Sequence, residues 1–322
     1  MTHLYPAIQP YRCDRIETGD GHTLHVEQSG NENGYPVLFI HGGPGGGLTP
    51  IYRSLFNPDI FRIISFDQRG CGQSTPFAST ENNTTHHLLS DIDAIRKFAN
   101  VKKWIVCGGS WGATLALLNA ISKPKTVSGL VLRGTFLARD EDYDWYMGKN
   151  GAAAQMFPEH YAHFVEVAGN PGTTKALTEQ YYQLLTSGNE LEKTRATKAW
   201  SLWEHQIASL HANVNEQDIS QHLHVATSLA LLECHYVKHR CFIDDNYILN
   251  NIHKISHIPG TIVHGRYDMV CKLNASHALS EVWKNGQLLV VPEAGHCLSE
   301  TKIAEAVCHA NDAMIKFIQE EK

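Results

Sequence analysis

Gly108-Gly109-Ser110-Trp111-Gly112 fits the pattern G-x-S-x-G. It lies between an apolar run at 104–107 (WIVC) and a stretch of good helix formers from Ala113 to Ile121 that stops before Pro124. In that setting a serine occupies a sharp strand-to-helix turn, at strained backbone angles and at a helix N-terminus that favours developing negative charge. Ser110 is therefore the candidate nucleophile. A serine needs a base to take its proton, and the base needs an acid to orient it. Asp268 follows an apolar run at 260–263, and His296 stands a few residues beyond another at 288–291. A glycine loop, HGGPGGG at 41–47, follows a further apolar run at 37–40. Backbone N–H groups in such a loop can hold an oxyanion, and Gly43 with the N–H of Trp111 is the candidate pair.

Other chemistry is disfavoured. Neither glycine cluster matches G-x-x-x-x-G-K-[ST] or G-x-G-x-x-G, so no nucleotide is expected. The eight cysteines include no C-x-x-C and show no metal-ligand spacing, so neither a metal nor another cofactor is expected. Cys107 and Cys271 lie near the serine turn and the acid loop, where packing is the default role. Two glutamates sit in apolar, aromatic surroundings. Glu204 ends WSLWE at 200–204, with tryptophans on the same helical face, and Glu233 follows an apolar run at 229–232. Solvated surface is the ordinary fate of a helical glutamate. A pair of buried carboxylates, by contrast, demands a partner, and a cationic group held between them would supply one.

These residues need a frame. Short strands are expected within 14–29, at 37–40, 61–66, 104–107 and 127–132, and again at 260–263 and 288–291. A helical spacing at 88, 89, 92, 95 and 98 marks a helix over 85–99. Strands and helices alternating in this way predict an α/β fold with a mostly parallel sheet covered on both faces. From 138 to 253 the rhythm fails and the chain reads as helices and loops. The expected organisation is a core of 1–137 and 254–322, with a helical cap at 138–253 over the edge where open α/β sheets bind ligands. The chain of 322 residues is 43% hydrophobic and carries a net charge of −6, with no clustered basic face, so nucleic acid is not an expected partner. It has no apolar run long enough to span a membrane and no pattern of a secretion signal, so a cytoplasmic location with free thiols is expected. The oligomeric state is left open.

The strings HGGPGGG at 41–47, DQRGCGQS at 67–74, GGSWGATLAL at 108–117 and GRYD at 265–268 together resemble the proline iminopeptidases (prolyl aminopeptidases), a family of the α/β-hydrolase fold. The resemblance runs from about Ile16 to the C-terminus. It implies a serine exopeptidase that releases N-terminal proline from small peptides, with Ser110, Asp268 and His296 as the triad. It further implies that Glu204 and Glu233 hold the substrate amine and that Phe136 and Tyr146 line the proline pocket. Two departures stand out: Lys272 follows Cys271 where the family often has proline, and Cys297 follows His296 where it commonly has serine. The rival readings are a capped serine esterase or lactonase, which has no need of the two glutamates, and a non-catalytic binding protein of the same fold.

Overall fold

Side-chain alternation sets the two faces of the sheet. In the strand at 35–40, Leu38 and Ile40 pack into one hydrophobic cluster while Val37 and Phe39 pack into another. Strands buried on both faces must be apolar at every position, which is why the runs carry no polar alternation. The computed structural model describes residues 4–211 and 215–320. Its strands are β1 (Arg12–Glu17), β2 (Thr23–Gly30), β3 (Tyr35–Ile40), β4 (Phe61–Phe66), β5 (Trp104–Gly109), β6 (Val127–Arg133), β7 (Gly260–Gly265) and β8 (Gly286–Val291). They form one eight-stranded sheet in the order β1-β2-β4-β3-β5-β6-β7-β8. From β4 through β8 neighbouring strands are parallel, whereas β2 is antiparallel to both β1 and β4.

Helix α1 (Thr85–Phe98) and helix α2 (Trp111–Ser122) cover one face of the sheet. Between β6 and β7 lie α3 (Asp140–Met147), α4 (Ala152–Met156), α5 (Pro158–Val167), α6 (Thr174–Leu185), α7 (Glu190–Ala208), α8 (Glu216–Gln221), α9 (Leu223–Lys238) and α10 (Tyr247–Asn251), with no strand among the described residues. Helix α11 (Leu273–Val282) joins the α1/α2 side, and α12 (Thr301–Glu320) covers the opposite face through Ile303, Val307, Met314 and Ile315. The helices after β6 have their own core, built on Phe164, Tyr181, Trp200, Trp203 and Leu231. Phe164 stacks on Tyr181 and Trp203 at centroid distances of 4.8 and 5.4 Å, so α5, α6 and α7 share one aromatic centre. The end of this segment behaves differently: Cys241, Ile248, Ile252 and Ile255 are buried with α2 rather than with the aromatic centre. Among the described residues, no helix is long and apolar enough to cross a membrane.

The string at 67–74 locks the loops at the end of the sheet. Asp67 accepts hydrogen bonds from Leu48 N (2.7 Å) and Gln73 N (2.9 Å). Gln68 donates to the carbonyl of His41 (2.8 Å) and accepts from the Trp111 indole (2.9 Å), tying the glycine loop to the start of α2. Arg69 forms a two-pronged ion pair with Asp91, both side chains 2% exposed, and a further pair with Asp20. Asn83 donates to the Arg69 carbonyl and accepts from Tyr236 of α9, so the same lock reaches the inserted helices.

Candidate active site

The parallel strands deliver their chemistry at one end. Gly43 follows β3, Ser110 follows β5, Phe136 follows β6, Asp268 follows β7 and His296 lies beyond β8. Ser110 has φ 57° and ψ −126°, a conformation that a residue with a side chain holds only when its surroundings force it. The flanking glycines show how. A Cβ on Gly112 would lie 2.2 Å from the Ile40 carbonyl oxygen, and one on Gly108 would lie 2.4 Å from that of Gly112. The helix begins at Trp111, two residues earlier than its apolar composition suggests, because the turn leads straight into it. Trp111 is thus a first-turn residue, whose N–H has no partner within its own helix.

Asp268 is fully buried, and its carboxylate is saturated. One oxygen accepts from Val270 N (3.0 Å) and Cys271 N (2.7 Å), and the other meets His296 Nδ1 at 2.7 Å and His264 Nε2 at 3.3 Å. Burial opposes its ionisation, but His296, His264 and the backbone N–H outweigh burial and hold it below the usual carboxylate range. The other imidazole nitrogen, His296 Nε2, accepts from Arg133 Nη1 at 2.8 Å. A guanidinium can only donate. The imidazole is therefore protonated at Nδ1 towards Asp268 and bare at Nε2, the tautomer that a general base requires. Arg133 donates to the His296 carbonyl as well (3.0 Å) and lies against Gly109, its cross-strand partner. Among the described residues, the hydrogen-bond partner of Ser110 Oγ is Cys271 Sγ at 3.9 Å, so Arg133 stands at the nitrogen that the triad would offer to the serine. Cys271 does not compete as nucleophile: burial and the Asp268 charge push its thiol well above its ordinary pKa. Burial likewise takes Cys107 up to about 12.

Ser110, Gly43, Trp111, Phe136, Tyr146, Glu204, Glu233, Val270 and Cys271 line one small cavity. Four larger surface clefts among the described residues gather no such set. Helix α7 brings Glu204 and α9 brings Glu233. Glu233 accepts from the Trp200 indole at 2.7 Å and bonds to Glu204. Burial, then the charge of Glu204, raise Glu233 well above the usual range, so it holds its proton to higher pH than a solvated glutamate. One oxygen of Glu204, Oε2, is buried with no hydrogen-bond partner. An unpaired buried carboxylate oxygen is costly and marks a place for a donor. Tyr146 is anchored through its carbonyl by the Trp203 indole (3.0 Å), and Phe136 meets Tyr143 edge-on at 5.4 Å. Ser228 of α9 donates to the Gly45 carbonyl (2.9 Å), seating the helix directly on the glycine loop.

All nine residues singled out in the sequence fall at this end of the sheet, seven of them on the cavity and Asp268 and His296 behind it. Arg133, Gln68, His264 and Val270 were missed. Arg133 is the last residue of an apolar strand, a signal that could have found it; the other three act through contacts that sequence spacing does not carry. Of the two departures, Lys272 pairs with Glu141 of α3 (2.6 Å), and Cys297 N bonds the carbonyl of Ala208 at the end of α7 (3.0 Å). Both bridge the sheet side to the inserted helices.

A family model for the α/β hydrolase fold matches residues 35–303. The chain is 42% identical over 316 residues to a protein of Leptolyngbya boryana described as a "probable proline iminopeptidase", covering 98% of each chain. It is 39% identical over 312 residues to a proline iminopeptidase of Arabidopsis thaliana, covering 97% of this chain and 82% of that one. Among solved structures, a proline iminopeptidase of Mycobacterium smegmatis superposes with a TM-score of 0.64 at 18% identity, covering 97% of this chain and all of that one, a likeness of fold. With full-length identity near 40% to named members and the hydrolase model spanning most of its length, this chain belongs to the proline iminopeptidase family of the α/β-hydrolase fold.

Proposed function

We propose that this protein is a serine exopeptidase that releases N-terminal proline from small peptides through an acyl-enzyme on Ser110. The observation that carries the reading is the meeting, in one small cavity, of Ser110 with a pair of cap carboxylates, one of which has a buried oxygen without a partner. A secondary ammonium would complete the pair: one of its N–H groups is the donor that Glu204 Oε2 lacks, the other can reach Glu233, and its charge offsets theirs. The pyrrolidine ring then lies against Phe136 and Tyr146, and the proline carbonyl faces Ser110.

In the reaction, Ser110 Oγ attacks that carbonyl carbon while His296 Nε2 takes its proton. Arg133 must first release this nitrogen. Asp268 keeps the imidazole oriented and stabilises the imidazolium. The N–H groups of Gly43 and Trp111 hold the oxyanion. The imidazolium returns the proton to the departing amine, and a water activated by the same nitrogen then hydrolyses the prolyl ester. The inserted helices, about 138 to 253 in the chain, act as a cap that leaves no space upstream of the amine. That closure makes the enzyme an exopeptidase. All eight cysteines are free, which fits the cytoplasmic location proposed for it.

The test is to incubate the protein with peptides carrying proline first or second and to follow the products by mass spectrometry, with Ser110→Ala as control. Release of free proline from the first peptide alone, absent from the control, is the expected result. Turnover of simple acyl esters with no proline released would replace the peptidase by a capped esterase.

A further inference from the structure

The cap helix that carries Glu204 ends against the loop that carries His296. Ala208, the last residue of α7, lies one turn beyond Glu204, and its carbonyl accepts from both His296 N (2.8 Å) and Cys297 N (3.0 Å). Glu300 closes the same joint with its side chain. One carboxylate oxygen accepts from Gly295 N at 2.7 Å, next to His296, and the other accepts from Leu210 N at 2.9 Å, just past α7. The main-chain carbonyl of Glu300 receives Ile303 N and Ala304 N, so this residue starts α12. A residue there ordinarily turns its side chain back onto the N–H groups of its own helix. Glu300 instead spends both oxygens on two other segments, one from the cap and one from the catalytic loop. The joint is tight: a Cβ on Gly295 would lie 2.9 Å from the Glu300 carboxylate and 3.2 Å from the Ala208 carbonyl.

We propose that Glu300 is a positioning residue that sets the register of the cap on the core, fixing the distance between amine-binding Glu204 and proton-accepting His296. The inference rests on the amine-clamp reading above. A prolyl substrate is held at two points on different bodies, its amine on α7 and α9 and its carbonyl at Ser110. If α7 slides on the His296 loop, the carbonyl leaves its attack geometry, and a displacement of about 1 Å can cost up to about 100-fold in rate. A reagent that meets only Ser110 and His296 does not feel such a slide.

Two rates separate these roles: kcat/KM for a prolyl arylamide, and phosphonylation of Ser110 by a small uncharged alkyl fluorophosphonate. Both are measured for the parent, Glu300→Ala, Glu300→Gln, Glu204→Gln and the double variant of Glu204→Gln with Glu300→Ala. Glu300→Ala is expected to lower arylamide turnover about 10-fold or more while phosphonylation falls far less. Glu300→Gln, which keeps one acceptor oxygen, should fall between parent and alanine variant. In the Glu204→Gln background, where the amine is no longer firmly held, Glu300→Ala should cost no more than about 2-fold, the threshold for real coupling. Equal losses in both rates, or additive losses in the double variant, would overturn the proposal. If Glu204→Gln itself lowers both rates alike, the amine clamp fails and the register with it; if Glu204→Gln is selective and Glu300→Ala is not, only the role of Glu300 fails. Should the alanine variant not fold, Glu300→Gln carries the same comparisons.

Discussion

Glu204→Gln is the substitution that asks most of the cavity. The amide keeps the shape and one acceptor oxygen and removes one of two negative charges facing the proposed ammonium. Two unit charges about 4 Å apart interact by about 4 kcal/mol at an effective dielectric of 20. Much of that is offset by the hydration the cation loses, and the amide still accepts a bond. The difference between a charged and a neutral hydrogen bond, on the order of 1–2 kcal/mol, is the better guide. It corresponds to a fall of about 5- to 30-fold in kcat/KM for a prolyl arylamide, most of it in KM. The pH profile gives a second readout. Glu233 is raised by burial and by the charge of Glu204, so it must lose its proton before the pair carries two charges. Turnover should therefore rise as pH climbs through the raised Glu233 pKa, and fall again near pH ~8 as the substrate amine becomes neutral. With Glu204 uncharged, one cause of the Glu233 shift is gone, and the acid limb should move to lower pH while the alkaline limb stays. Phosphonylation of Ser110 by a neutral fluorophosphonate makes no use of the glutamate pair and gives the reference rate against which the Glu233 limb is read. Parallel loss of both rates with an unmoved acid limb would refute the clamp and make Glu204 structural.

Glu233→Gln should abolish most prolyl turnover yet stabilise the fold at alkaline pH. A carboxyl whose folded pKa is raised favours the folded state at low pH, and that contribution is lost as pH rises through the folded value. The variant should gain nothing below the ordinary glutamate range, gain progressively between that range and the raised folded value, and keep a gain on the order of 1 kcal/mol or more above it, read from urea midpoints across the interval; equal stability at all pH would show that Glu233 is not strained. Asp91→Ala leaves the buried Arg69 guanidinium short of its main partner and should cost about 3 kcal/mol in chemical unfolding; a loss under about 1 kcal/mol, the range of exposed pairs, would mean that Asp20 suffices. Gly112→Ala drives a methyl into the Ile40 carbonyl and should destabilise by more than about 3 kcal/mol or leave Ser110 unreactive to the fluorophosphonate; a stable, fully labelled variant would show that the turn tolerates a side chain there.

Much of this was legible in the chain because the chemistry sits where strands end. Ser110, Asp268 and Gly43 each follow an apolar run by a few residues, so the parallel sheet alone brings them to one edge, and His296 comes with the loop after β8. The glutamates were legible for a different reason: tryptophans at helical spacing flank Glu204 and an apolar run precedes Glu233, and Trp200 of the first segment bonds Glu233 of the second. Arg133 was not legible as a partner of His296, since its reach depends on the cross-strand neighbour Gly109 having no side chain. Gln68 was hidden inside a string recognised as a whole, and its bridge from His41 to Trp111 exists only once two loops meet. The end of the insertion was blurred because residues 241–255 are helical like the cap but bury their apolar face on α2. Helical spacing reports that a face is buried, not which body buries it.

The most direct measurement compares arylamine release from a free prolyl arylamide and from its N-acetylated form, with Ser110→Ala as the blank. Acetylation removes the charge and both N–H groups and adds bulk on the side that the proposed cap would close, and changes nothing at the scissile bond. Cleavage of the free form alone, lost in the blank, is the predicted result. Equal cleavage of both forms, or hydrolysis of acyl esters with no prolyl arylamide turnover, would contradict the two-glutamate clamp and leave a serine hydrolase of other specificity.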